Sequence, residues 1–391
     1  MNVSNATFSA GPGDRTVTIG LVFVIGLLSV VAFYPQIFGH HNTDIHDHLL
    51  AVQEMSQRWQ WNLYSIFYLL VYELSLGTGN FFGISCAAMG VLTLSVIFKG
   101  ILSYLVVKNA TGRKLTAACA AIALVLVMPL PNWWKPDQIY LDKIAPNLWF
   151  NSTGILTMPF AILLFFSAIA WLRKLSLRSW LWVLIFCLMS LLTKPNYVLA
   201  LMPALGIAVL IRVAGLQREE IARTLLFFAG LALVAICVLA LQYADTYVAS
   251  SGTPSASGES AHIIIAPFAV WRVYSPNIPA SLLLSIAFPL GVTILYFREV
   301  KTNPTMLLAW GIWAAAMLQY ILLAESGEYL ADGNWGWGSN IAMYIVFLVS
   351  AMVFLRQPRS LRYYLVAILF SLHLATGIYY FVKIAHGVGY L

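Results

Sequence analysis

The chain has 391 residues, of which 61% are apolar and only 9% are charged, with a mean hydropathy of +0.82. Soluble domains carry about 25% charged residues, so this composition excludes a soluble globular domain. The net charge of +7 arises largely from basic residues in short loops between apolar runs, and we therefore expect no nucleic-acid partner.

Apolar runs long enough to cross a bilayer recur along the whole chain. A hydrocarbon core about 30 Å thick needs about 20 apolar residues as a helix, and backbone groups in lipid must bond internally. We therefore predict an all-α polytopic membrane protein, a single transmembrane domain over residues 1–391. The predicted spans are 16–38, 81–107, 115–131, 152–172, 179–193, 197–213, 224–243, 281–297, 305–323, 341–355 and 363–382.

Basic residues collect in alternate loops between these eleven spans. The basic loops are 108–114, 173–178, 212–223, 298–301 and 356–362. The positive-inside rule assigns such loops to the cytoplasm. The loops that then face outward are 39–80, 132–151, 194–196, 244–280 and 324–340. We therefore expect most of the acidic residues and the histidines to face outward.

Residues 61–77, WNLYSIFYLLVYELSLG, are apolar enough to form a twelfth span. If they crossed the membrane, the basic loop KNATGRK at 108–114 would lie outside, and every later basic loop would change sides. The charge pattern therefore predicts that 61–77 lies in the outer interface, with twelve spans as the alternative.

The first outer loop begins with HHNTDIHDH, residues 40–48, which contains four histidines and two aspartates. The spacing of 44–59 predicts an amphipathic helix that lies on the membrane. Its apolar face carries Ile45, Leu49, Val52, Met55 and Trp59. The charged residues on or beside the other face are Asp44, Asp47, Glu54 and Arg58, of which the last two form an i,i+4 pair.

The stretch from Asp44 through His48 to Glu54 and Met55 resembles the motif after the first helix of GT-C-type glycosyltransferases, which use polyprenyl-phosphate sugars. Two juxtamembrane helices separate the first two spans in that superfamily, a layout that the charge pattern also favours. Ile45 stands where an acidic residue is common, and the second juxtamembrane stretch lacks the usual proline pair. The resemblance implies a GT-C-like fold and makes Asp44 the base or the group that orients the acceptor.

Two further segments are similar to bacterial multispanning proteins thought to be GT-C-like. APNLWFNSTG (145–154) is similar to their PN-x-W-[HF]-N-x-T signature, with Phe150 at the position where His is expected, and LTKPNYVLALMPA (192–204) to their Lys-Pro segment. The resemblance implies substrate-binding roles for Asn147, Trp149, Asn151 and Lys194. It also implies a multi-pass protein of the bacterial inner membrane whose active site faces out.

The chemistry of sugar transfer explains these residue types. The reaction passes through an oxocarbenium-like transition state, and an inverting enzyme needs a carboxylate to take the acceptor proton. Asp44 is the first candidate and Asp47 the second; the alternative is that both are solvated loop carboxylates. No cofactor is certain, but His40, Asp44, Asp47 and His48 could also bind a divalent metal such as Mg²⁺ or Mn²⁺.

Cations are needed to hold the departing phosphate. The candidates are Lys194 between two spans, Arg272 in AVWRVYSPN, and Lys135 beside a Trp pair; snorkelling or an aromatic belt is the alternative reading. The loop AESGEYLADGNWGWGSN (324–340) could contact sugar, or it could be a Gly-rich connector. The remaining candidate substrate-binding residues are His48, Glu54, Arg58, Glu325, Glu328, Trp335 and Trp337.

The resemblance, together with these residues, implies an inverting membrane glycosyltransferase as the leading hypothesis. It would move a sugar from a polyprenyl-phosphate donor to an envelope glycan or glycolipid, so its partners are the bilayer, the donor and the acceptor. The contrasting hypothesis is a transporter or flippase of a lipid-linked saccharide, which should place ionisable residues near the midplane and often shows repeats. A non-catalytic assembly subunit is a third possibility.

Overall fold

The computed structural model describes residues 12–39, 43–61, 64–248 and 262–388, and helices dominate these ranges. In chain order the helices are α1 (Pro12–Phe38), α2 (Asp44–Arg58), α3 (Ile66–Leu74), α4 (Phe81–Thr111), α5 (Lys114–Leu126), α6 (Ser152–Lys174), α7 (Leu177–Thr193), α8 (Asn196–Val213), α9 (Arg218–Tyr243), α10 (Ala269–Tyr274), α11 (Ile278–Leu295), α12 (Phe297–Val300), α13 (Pro304–Leu322), α14 (Trp337–Phe354) and α15 (Leu361–Ala385). Two short strands, β1 (Ile263–Ile265) and β2 (Leu323–Glu325), pair antiparallel.

Nine helices of the described ranges are long and apolar enough to cross a membrane: α1, α4, α6, α8, α9, α11, α13, α14 and α15. Helices α5 and α7 are apolar but shorter, with 13 and 17 residues. The chain is therefore an all-α polytopic membrane protein. Each of the eleven predicted spans overlaps one of these helices, and a total of eleven crossings requires that α5 and α7 also cross.

Helix α5 ends at Leu126, earlier than the predicted span 115–131. The cause lies in the next residues, because Pro129 and Pro131 lack an N–H group and disfavour helical backbone before them. The predicted helical end was therefore wrong.

The extended backbone after α5 stays inside the bundle, and two later helices satisfy its polar groups. The N–H of Met128 donates to the carbonyl oxygen of His373 in α15 (3.1 Å), and Nδ1 of His373 lies 2.7 Å from the carbonyl oxygen of Met128. The N–H of Leu130 donates to the carbonyl oxygen of Leu284 in α11 (3.0 Å). Irregular backbone is tolerated at membrane depth only where protein surrounds it in this way.

We expect Gly377→Ala to destabilise the protein, because a methyl group on Gly377 of α15 would collide with the carbonyl oxygen of Leu126. Overpacking of this kind costs about 1–3 kcal/mol, and here the obstacle is backbone that cannot rotate away. Thermal unfolding in detergent should show a lower midpoint for this variant. Gly20→Ala is the control, because nothing lies within 4 Å of that position; equal midpoints for the two variants would contradict the close approach.

Four of the basic loops meet at one end of the bundle, which we call the basic end. Nη2 of Arg173 donates to Oγ1 of Thr305 (3.3 Å), and Nε of Arg212 donates to a carbonyl near the end of α6 (3.3 Å). Nε2 of Gln357 donates to Oε2 of Glu299 (2.6 Å). Loops 173–178, 212–223, 298–301 and 356–362 therefore share one side.

Helices α2 and α3 lie at the opposite end, which we call the site end, because Asp44 of α2 accepts a hydrogen bond from Asn151 at the start of α6, whose other end lies at the basic end. The ring of His46 in α2 lies 5.6 Å from that of Phe81, so α4 begins at the site end. Helix α3 has nine residues, about 14 Å at 1.5 Å per residue, which is too short to cross a bilayer.

Helix α2 buries Ile45, Leu49 and Val52, as its amphipathic pattern predicts. Trp59 does not continue this face. It is 74% exposed and caps α2 in a left-handed conformation with φ 52°, because the helix ends one residue earlier. That part of the prediction was wrong.

Candidate functional site

A cavity of about 1070 Å³ lies at the site end. Its walls come from α2, α8, α9, the loop before α6 and the segment that joins β2 to α14. The predicted site residues that line it are Asp44, Asp47, His48, Asn151, Lys194, Glu325, Trp335 and Trp337. Residues from four distant parts of the chain therefore share one cavity.

Asn151 connects Asp44 with Lys194. Its Nδ2 donates to Oδ2 of Asp44 (2.9 Å), and its Oδ1 accepts a hydrogen bond from Nζ of Lys194 (3.2 Å). The same Oδ1 accepts the N–H of Gly154 (2.8 Å) as the N-cap of α6. Because this cap occupies the oxygen, the amide nitrogen is held towards Asp44.

Lys194 is only 2% exposed and sits at the C-terminal cap of α7, immediately before a proline. Its Nζ donates to three neutral oxygens, those of Tyr64 (3.1 Å), Thr153 (3.0 Å) and Asn151. The rings of Tyr64 and Trp337 lie 5.5 and 5.0 Å from the same atom, within reach of cation–π attraction. Burial lowers the pKa of Lys194 to about 7, while Asp44 and Glu325 act to raise it.

His48 lies against the rings of Phe67 and Tyr68, at 6.1 and 5.6 Å. Within the described residues its Nδ1 has no hydrogen-bond partner. Burial, with the nearby charge of Lys194, lowers the pKa of His48 to about 4, so the ring is neutral at neutral pH. Burial raises the pKa of Asp47, and the charge of Asp44 adds to this.

Three of the four predicted metal ligands lie in the described part of the chain, so the metal site stays a prediction. No group of three or more His, Cys, Asp or Glu side chains there could hold a metal ion. His40 lies outside the described residues. Asp44, Asp47 and His48 do line one cavity, but Lys194 contributes a positive charge that opposes cation binding beside His48.

A second lysine, Lys143, also lines the cavity, but it is already paired. Its Nζ lies 2.6 Å from Oδ1 of Asp142 and donates to the carbonyl oxygen of Gln138 (2.6 Å). Asn132 Nδ2 donates to the other carboxylate oxygen of Asp142 (2.6 Å). Burial lowers the pKa of Lys143, and its hydrogen bond to Asp142 opposes this. Lys194 is therefore better placed than Lys143 to meet an anion.

Two predicted substrate-binding residues instead hold the fold together. Asn147 donates to the carbonyl oxygens of Leu124 (2.9 Å) and Val127 (2.7 Å), which α5 leaves unpaired at its end. Its Oδ1 accepts a hydrogen bond from Nζ of Lys99 (2.6 Å). Trp149 is buried in the core, 2% exposed, and its ring packs on Phe33.

Four other predicted residues are exposed and do not line the cavity: Glu54, Arg58, Lys135 and Arg272. Glu54 and Arg58 form the predicted i,i+4 ion pair at 2.8 Å, with both side chains about 60% exposed. The guanidinium of Arg272 lies 5.9 Å from the Phe268 ring. The side chain of Glu328 lies outside the described part of the chain.

Several cavity residues escaped the sequence prediction, among them Tyr64, Asn196, Asn334 and Asn340. Asn196 follows the Lys-Pro pair directly, and Asn340 closes the loop 324–340, so both lie within segments of interest. Single amides carry little signal in a sequence, because their role depends on the partner that folding provides.

No known protein-family model matches the chain, and no curated protein matches it significantly in sequence. Function therefore has to be inferred from the cavity itself. It combines a half-buried carboxylate, a buried ammonium group without a carboxylate partner among its hydrogen bonds, and aromatic rings.

Proposed function

We propose that the protein is an inverting membrane glycosyltransferase, which moves a sugar from a polyprenyl-phosphate donor to an envelope glycan or glycolipid. The observation that supports this best is the triplet of Asp44, Asn151 and Lys194 in one cavity. A base and a cation held at fixed separation are what transfer from a phosphate leaving group needs.

In the proposed reaction, an acceptor hydroxyl oxygen attacks the anomeric carbon of the donor sugar. The bond from that carbon to the phosphate oxygen breaks, and its electron pair leaves with the polyprenyl phosphate. The carboxylate of Asp44 takes the hydroxyl proton. The ammonium group of Lys194 stabilises the charge that develops on the phosphate. The hydrogen bonds of Asn151 hold the side chains of Asp44 and Lys194 in place relative to each other.

We further propose that the site end faces outward from a bacterial inner membrane. The basic loops gather at the opposite end of the bundle, and the positive-inside rule assigns such loops to the cytoplasm. The cavity would then open where a lipid-linked sugar headgroup lies.

A transporter of lipid-linked saccharides is the contrasting class. Such proteins use ionisable groups near the midplane. In α4, Lys99 is buried far from both helix ends, but it donates to Asn147 and lies 4.7 Å from the Tyr344 ring. It does not line the cavity, which favours a structural role for this lysine.

Activity in detergent distinguishes a transferase from a transporter, because a micelle does not separate two compartments between which a substrate could be transported. The protein would be purified in detergent and mixed with radiolabelled undecaprenyl-phosphate glucose, mannose or galactose and a delipidated envelope-glycan extract. A transferase should move label to the extract and release undecaprenyl phosphate. Label that stays on all three carriers in micelles, together with movement of the carriers across proteoliposomes, would favour the transporter and overturn the proposal.

We expect Gly154→Ala to impair transfer without unfolding the protein. A methyl group there would lie 2.9 Å from Oδ1 of Asn151 and 2.7 Å from a terminal methyl of Leu148. Leu148 can rotate, but the capping amide must move, and a displacement of about 1 Å in a catalytic group can cost about 10²-fold in rate. Transfer rate and unfolding midpoint would both be measured, with Gly90→Ala, which has open space, as control. Full activity would contradict the bridging role of Asn151.

A further inference from the structure

A second set of polar side chains lines the same cavity next to Lys194. We call Asn196, Asn334 and Asn340 the amide wall. Nδ2 of Asn196 donates to the carbonyl oxygen of Asn334 (2.8 Å), and Nδ2 of Asn334 donates to Oε2 of Glu325 (2.6 Å). Two of the three amides are therefore held in place by hydrogen bonds.

The amide wall is built by close packing of α14 on α8. A Cβ atom at Gly338 would lie only 2.8 Å from the carbonyl oxygen of Asn196, so glycine lets the two helix N-termini meet. On the other side, Glu325 lies in β2, where it pairs with Ile263 of β1. The wall is thus anchored to two helices and to the strand pair.

Asn340 differs from the other two amides. It is 8% exposed, it lines the cavity, and its side-chain oxygen has no hydrogen-bond partner within the described residues. Trp335 also lines the cavity, and its Nε1 likewise has no hydrogen-bond partner within the described residues. A buried polar atom without a partner costs free energy. An acceptor and a donor left unpaired in one cavity could both pair with the hydroxyl groups of a single ligand.

Charge limits which ligand fits. Glu325 and Asp332 both line this part of the cavity, and Asp332 is two residues from Asn334. Among the lysines and arginines of the described residues, Lys194 and Lys143 line the cavity. Lys143 is paired with Asp142. An additional carboxylate or phosphate on the ligand would therefore be repelled here, whereas hydroxyl groups and the apolar face of a sugar ring on Trp337 would be favoured.

We propose that the amide wall is a subsite for a non-acidic saccharide, in which Asn340 hydrogen-bonds the sugar hydroxyls and Glu325 with Asp332 rejects acidic sugars. In the proposed transferase this saccharide is the acceptor, and that assignment rests on the proposed function. Asn340 is then the saccharide-binding residue of this subsite, and Glu325 and Asp332 determine its specificity by excluding acceptors that carry a uronic acid or a phosphate.

Saccharide binding tests this without any transfer step. Saturation-transfer NMR on the protein in lipid nanodiscs would compare methyl glycosides of glucose, galactose and mannose with the methyl glycosides of the corresponding uronic acids. At least one neutral glycoside should bind, and its uronic counterpart should bind at least tenfold more weakly. Asn340→Ala should weaken the neutral glycoside at least tenfold, and Glu325→Gln should reduce the discrimination against the uronic form. Asn109→Ala, an exposed asparagine of α4, is the matched control.

The subsite is refuted if no neutral glycoside binds, if the uronic forms bind equally well, or if Asn340→Ala binds as the control does while it unfolds at the same temperature. Failure of binding in a protein that transfers sugar refutes the amide wall alone. Binding that depends on Asn340, in a protein that transfers no sugar, refutes the transferase and leaves a saccharide site.

Discussion

Asp44→Asn should lower the rate of sugar transfer by about 10²–10⁴-fold, the range that a general base contributes. The substituted amide keeps an oxygen that can accept the hydrogen bond of Asn151, so the geometry of the cavity should survive. What is lost is the ability to take the acceptor proton. The initial transfer rate at saturating donor is the measurement, with donor affinity as a second readout that should change little.

The chain offers a matched control on the same helix. Glu54 lies in α2, is paired with Arg58 at the surface and does not line the cavity, so Glu54→Gln should leave the rate unchanged. Asp47→Asn tests Asp47, the second candidate for the base after Asp44. An Asp44→Asn protein with a normal rate, beside an inactive Asp47→Asn protein, would transfer the role to Asp47.

Lys194→Met should weaken donor binding by about 2–5 kcal/mol, the usual cost of removing one partner of a desolvated charge pair, or about 30-fold to several thousand-fold in Kd. Methionine keeps a similar length, so the loss should reflect the charge. Lys194→Arg should not restore binding, because a planar guanidinium cannot reproduce three hydrogen bonds to Tyr64, Asn151 and Thr153. Lys135→Met, at an exposed site, is the control; normal donor affinity in Lys194→Met would contradict the phosphate-binding role.

The pH dependence of donor binding follows from the same lysine. Burial lowers the pKa of Lys194 to about 7, so in the donor-free protein the ammonium form is present below pH 7 and is lost above it. A phosphodiester stays anionic throughout this range. The Kd of the donor should therefore rise by up to about tenfold per pH unit above pH 7 and stay flat in Lys194→Met. A wild-type Kd that is constant between pH 6 and 9 would refute this linkage.

The helices could be predicted from the sequence because the bilayer imposes their length and composition. All eleven apolar runs became helices, and 61–77 did not become a span-length helix. The ends were less predictable. Proline chemistry ended α5 at Leu126, and α14 begins at Trp337, inside a segment whose glycines predicted a loop. One of those glycines, Gly338, lies inside α14, because a larger residue there would clash with the carbonyl oxygen of Asn196.

The cavity was only partly predictable. Asp44, Asn151 and Lys194 could be nominated, because each lies in a recognisable segment. The hydrogen bonds that join them cross 107 and 43 residues, and no local pattern encodes that pairing. Trp149 and Asn147 lie in the same segment as Asn151 but point into the core, since side-chain direction in an irregular loop depends on what surrounds it. Asn340 was missed because the sequence placed it at the end of a loop, whereas it lies in the first turn of α14 and lines the cavity.

The extended stretch after α5 also bears on how the chain is assembled. Its hydrogen bonds to α15 join positions 245 residues apart. At about 5–20 residues per second, a ribosome needs roughly 12–50 seconds to make the intervening chain. During biogenesis the third predicted span, α5, therefore enters the membrane before the partner of Met128 in α15 exists, so this part of the bundle closes only after α15 has been made.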